Sequence, residues 1–129
     1  MRTPKTLATA VAALLALAAC APSAQPEGPS GRQVATVRVT NHNWSDMNVF
    51  VIRNGTRMRL GTVTSMNTST FRIPGTLMRS VSSLRIVADP IGSSSAYTSP
   101  ELQVAPGQQV AMTVQGVLHT SSVSVWERP

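Results

Sequence analysis

The chain has 129 residues, a formal net charge of +6 and only 4% aromatic residues. Its single cysteine excludes an internal disulfide, and the scarcity of aromatics leaves no stacking platform for nucleic acid. In chain order, the first element is a leader. Arg2 and Lys5 precede an apolar run from Leu7 to Ala19 that holds no acid. A short basic region followed by an apolar one is the layout of a secretory signal peptide. The run falls short of the roughly 20 apolar residues that span a bilayer.

The leader ends Leu17-Ala18-Ala19-Cys20. This tetrapeptide resembles the lipobox of bacterial lipoproteins, and the resemblance covers the first 20 residues only. It implies that the Cys20 sulfur receives a diacylglyceryl group, that the chain is cut before Cys20, and that the new amino group is acylated with a fatty acid such as palmitate. Each buried methylene contributes about 0.8 kcal/mol, and two or more chains anchor stably. The residue after the cysteine is Ala21, not the aspartate that in this family marks retention in the inner membrane. That implies the periplasmic face of the outer membrane in a two-membrane bacterium, or the outer face of the cell membrane otherwise. Without residues 1–19 the chain keeps nine arginines, no lysine and five acids, a net charge of +4.

Residues 20–33, "CAPSAQPEGPSGRQ", are rich in proline and glycine and hold no bulky apolar side chain. They predict a flexible tether that cannot form a core. Residues 34–129 have the length of one small domain, expected as a monomer. There the apolar residues recur with period two in "VATVRVTN", "MNVFVIR", "RMRLGTV", "SLRIVA", "ELQV", "QVAMTVQ" and "SSVSVW". Such runs, split by Asn54-Gly55, Pro74-Gly75, Asp89–Ser95 and Pro106-Gly107, read as strands. They predict an all-β, antiparallel β-sandwich of seven or eight short strands. In architecture this resembles immunoglobulin-like or transthyretin-like sandwiches, a likeness that implies no activity.

Asn54-Gly55 between alternating runs is a strong hairpin signal, because both turn positions need positive φ. As a two-residue turn it pairs Val51 with Met58, Val49 with Leu60 and Met47 with Thr62 on the core face. Phe50 then faces Arg59, in reach of a cation–π contact, and Ile52 faces Arg57 on the other side.

The chemistry-bearing residues are few. His42 and Asp46 lie four apart in "TNHNWSD" and are weak metal candidates, better read as turn formers. Thioethers suit copper(I), but Met47, Met58 and Met112 fall on inward strand positions, where methionine fills cores. No Gly-x-Ser-x-Gly elbow accompanies the many serines, and acids and histidines are too few for most hydrolytic constellations. Neither catalysis nor a cofactor is expected.

Arginine is the remaining signal. Phe50, Ile52, Arg53, Arg57 and Arg59 gather at one hairpin, while Arg38, Arg72 and Arg85 take outward strand positions. Guanidinium groups bind carboxylate or phosphate in bidentate fashion, although outward charges also keep sheets soluble. The expected function is a lipid-anchored envelope module with a structural or interaction role and an acidic or phosphorylated partner. The alternative is a periplasmic carrier of a small ligand or of copper.

Overall fold

Alternation sets which residues face inward on most of the nine strands found among the described residues. The structure is a computed structural model that describes residues 34–128. The leader, Cys20 and the tether lie outside these residues. The strands are β1 (Thr36–Asn41), β2 (Met47–Arg53), β3 (Thr56–Val63), β4 (Thr68–Arg72), β5 (Ser82–Pro90), β6 (Tyr97–Thr98), β7 (Leu102–Val104), β8 (Gln108–Val114) and β9 (Ser122–Glu127). All seven runs read from the sequence are strands. β4 and β6 are additions that the pattern did not reveal.

Two sheets form. One has the order β4-β1-β8-β9. In the other, β3, β2 and β5 lie in that order, and both β6 and β7 pair with the far edge of β5. Every pair is antiparallel except β1 with β8, which run parallel with Val37 opposite Val110 and Val39 opposite Met112. The two inner faces meet as a single core. Val37, Val39, Val110, Met112 and Val114 come from one sheet, and Met47, Val49, Val51, Leu84, Ile86 and Ala88 from the other; all are buried. Each sheet thus contributes every second residue, as face-to-face packing requires.

Between β6 and β7 the chain reads Ser99-Pro100-Glu101. Proline has no N–H for a ladder, so pairing with β5 breaks here. Buried Ser99 bridges the gap. Its N–H donates to the Ile86 carbonyl at 2.8 Å, and its Oγ accepts the Ile86 N–H at 2.9 Å.

The β2–β3 hairpin turns at Asn54 (φ 50°) and Gly55 (φ 75°), the two positive values the turn demands. Near the tip the expected register holds: Val51 faces Met58, Phe50 faces Arg59 and Ile52 faces Arg57. Beyond Phe50 it shifts. Val49 pairs with Gly61 and Met47 with Val63, not with Leu60 and Thr62. Leu60 is the extra residue of a β-bulge. The physical reason sits across the sandwich in β4. A Cβ on Gly61 would lie 2.5 Å from Cε1 of Phe71, so only glycine fits under that ring. The bulge brings the one residue without a side chain to this point.

Leu60 is consequently half-buried instead of enclosed, though it still packs against the core. Leu60→Ala should cost about 1 kcal/mol in urea denaturation, below the 2–5 kcal/mol of a fully buried leucine.

Candidate functional site

The outer face of the five-stranded sheet collects most of the residues singled out in the sequence. Asn48, Phe50 and Ile52 of β2 alternate away from the core. On one side they pair with β3, which brings Arg57 and Arg59. On the other they pair with β5, where Ile52 faces Arg85, Phe50 faces Val87 and Asn48 faces Asp89. Among the described residues no third layer lies over this face. Phe50 and Ile52 are half-buried by their neighbours in the same sheet.

Phe50 carries a guanidinium on its ring, but that of Arg57, 3.8 Å from the ring centroid, and not that of the directly opposite Arg59. Two contacts explain the exchange. Arg59 Nη2 donates to Asn48 Oδ1 at 3.0 Å and to Thr62 Oγ1, which turns it along the strand. Asp89 lies diagonally beyond Phe50 and draws Arg57 across the ring, with Nη2 donating to Oδ2 at 3.1 Å. A pair this exposed contributes about 0–1 kcal/mol, so a competing anion can displace Asp89 at little cost.

Arg53 does not belong to this patch. It shares the inward parity of Met47, Val49 and Val51, at the end where the core stops. Its Nη1 donates to the Leu77 carbonyl at 2.7 Å and closes that end of the sandwich. Arg85 takes its place. Exposed beside Ile52, it makes no side-chain hydrogen bond or ion pair among the described residues. With Ile52, Asn54, Ser83, Thr98 and Glu101 it lines an open cleft of ≈ 360 Å³. The Ser83 hydroxyl donates to the Glu101 carboxylate across this cleft. The alternation of "SLRIVA" already pointed Arg85 outward; only the β2–β5 pairing sets it next to Ile52.

A second cleft of ≈ 540 Å³ lies between the β5–β6 and β8–β9 loops, lined by Ser95, Ala96, Tyr97, Thr98, Leu118 and His119. Burial pushes the Tyr97 phenol above its ordinary pKa.

His42 and Asp46 are both exposed in the β1–β2 loop, and Asp46 Oδ1 accepts the Ser65 N–H at 2.8 Å. No group of three or more His, Cys, Asp or Glu side chains comes together among the described residues. Met47, Met78 and Met112 are core residues, Met58 is half-buried, and Met66 is exposed on a loop at φ 57°.

No family model matches the chain, and no curated protein matches it. Among solved structures it is similar to the NMR structure of a protein from Eubacterium rectale. The identity is 18%, with a TM-score of 0.45, over 76% of this chain and 91% of that chain.

Proposed function

We propose that the chain is a lipid-anchored β-sandwich of the bacterial cell envelope whose role is to bind a partner and not to catalyse a reaction. Cys20 carries the lipid, residues 20–33 tether the domain, and the outer face of the five-stranded sheet binds an acidic or phosphorylated partner. The lipobox at Leu17–Cys20 supports the anchor. The observation that carries the binding role is Arg85, uncommitted and beside apolar Ile52, with Arg57 on the other side of Ile52 in the same row and Phe50 one row away. Arginine with aromatic and apolar neighbours is the mix enriched at energetic hot spots. A guanidinium with unused donors takes a carboxylate or phosphate as a fork.

Both parts are testable. In cells fed a labelled fatty acid, wild-type protein takes up label and Cys20→Ser does not; equal labelling would sink the anchor. For the binding face, purified protein is passed over immobilised polyphosphate and polyglutamate. Retention on at least one support should fall as salt rises, because exposed charges are screened within about 8 Å at physiological ionic strength. Arg85→Ala should weaken it about tenfold, or ~1.4 kcal/mol. Retention that ignores both salt and Arg85 would remove the charged face from the account.

A further inference from the structure

The end of the sandwich remote from the tether has an unusual surface. β1 enters at Thr36 and leaves at Asn41, so the β1–β2, β3–β4, β5–β6 and β8–β9 loops all lie at the far end. Each carries one large apolar side chain in solvent. Trp44 is 83% exposed, and Met66, Ile91 and Val117 are 55% exposed each. Among the described residues only seven large apolar side chains are exposed, and four of them are here. Singly exposed apolar residues need no explanation, but a cluster does.

The cluster is held in place. Asn41 is fully buried, and its Nδ2 donates to the carbonyls of Ser45 (2.8 Å) and Thr64 (3.1 Å) while its Oδ1 accepts the Asn43 N–H (2.9 Å). Asn43 Nδ2 donates to the carbonyls of Gln115 and Gly116, both at 3.1 Å, and Asn43 Oδ1 accepts the Ser45 N–H. The Met66 N–H donates to the Asn43 carbonyl and the Ile91 N–H to the Asp46 carbonyl. Two asparagines therefore bind the loops that carry Trp44, Met66 and Val117, and a backbone bond adds the loop of Ile91.

The four loops hold no lysine or arginine, and their one acid, Asp46, is turned onto the Ser65 N–H. The cationic charge of the domain lies elsewhere. The cleft between the β5–β6 and β8–β9 loops is lined by none of the four apolar side chains; they stand on separate loops, so they suit a medium that closes around protrusions more than a partner with matching pockets. Tryptophan favours the headgroup level of a bilayer, a depth at which the exposed His42, Asp46 and His119 of the same loops stay hydrated.

We infer that this apolar tip inserts into the surface of the same bilayer that holds Cys20, giving the domain a second point of attachment. The inference rests on the lipid anchor proposed above. Residues 21–33 extend at most about 45 Å, whereas six-residue β1 is about 20 Å long. The tether therefore reaches past the whole domain and lets the tip come down beside the anchor. A tether of this length holds the tip at millimolar effective concentration, so weak insertion is enough.

The two tryptophans of the chain test the orientation directly. Trp44 stands at the tip; Trp126 pairs with Gln109 near the tether end and is 61% exposed. The full lipidated chain is placed in phosphatidylcholine vesicles brominated near the headgroup, as Trp126→Phe (Trp44 reports) and as Trp44→Phe (Trp126 reports). Trp44 should be quenched about twice as strongly as Trp126 or more, with a blue-shifted emission that salt leaves unchanged. Equal or weaker quenching of Trp44 overturns the inference and assigns the tip to a protein partner. Failure of the anchor is told apart with Cys20→Ser, Trp126→Phe chains mixed with excess vesicles. Quenching of Trp44 there shows insertion without the lipid, and its absence even at saturating lipid counts against the tip.

Discussion

Asn41→Ala lowers the stability of the sandwich by about 3 kcal/mol, measured by urea denaturation. The side chain is fully buried at the end of β1 and satisfies three backbone groups: the carbonyls of Ser45 and Thr64 and the N–H of Asn43. Alanine fills neither the volume nor the hydrogen bonds. Each orphaned buried group costs about 1–3 kcal/mol, and water entering at the loop end recovers part of the total. Asn41→Asp is the sharper variant. It keeps the shape and the acceptor for Asn43 but sets a carboxylate oxygen against two carbonyl oxygens, so at neutral pH it should be at least as damaging as alanine. A loss below about 0.5 kcal/mol, the range of ordinary surface substitutions, would mean that the loops hold themselves without Asn41.

Gly61→Ala is the second large effect, at about 1–3 kcal/mol, the usual cost of overpacking. The new methyl would stand 2.5 Å from Cε1 and 2.9 Å from Cδ1 of Phe71. Either the ring swings away from the core or β3 moves off β4. The two residues are then coupled, and a double-mutant cycle measures the coupling. Phe71→Ala alone loses a half-buried ring. In the Gly61→Ala background it also removes the clash, so it should cost less there than in wild type. Simple additivity of the two changes would place the strain somewhere other than at this contact.

Gly61 and Phe71 also mark where the sequence stops being informative. Asn54-Gly55 fixes the hairpin locally, and the expected register is correct from the turn as far as Phe50 and Arg59. It fails at the next pair because the bulge answers to Phe71, a residue of the other sheet that no period within the hairpin can reveal. β4 is illegible in the sequence for a similar reason. It reads "TSTFR", with Phe71 as its one large apolar residue, and its partner β1 is more than twenty residues away. Period two tells which face a residue takes but not which strand lies beside it. Hence Phe50 and Ile52 could be set outward from sequence, whereas the arrival of Arg85 beside Ile52 waited for the β2–β5 pairing. Arg53 was within reach. Its parity with Met47, Val49 and Val51 places it on the inner side, although at the hairpin tip it stands close in sequence to Arg57 and Arg59. The apolar tip was legible only as single residues, one per loop.

The parallel pairing of β1 with β8 bears on the order of assembly. Thr36 and Gln109 are 73 residues apart, so β1 cannot take its central place until nearly the whole chain is present. Closing so long a loop costs entropy before any contact repays it, and topologies rich in distant pairings fold slowly. A growing chain that has not reached β8 can offer β1 only the edge strand β4, with half of its backbone unpaired and Val37 and Val39 uncovered by Val110 and Met112. The domain thus stays unfolded until its C-terminal third has been made, the state a chain must keep if it is to be threaded across a membrane first and folded afterwards.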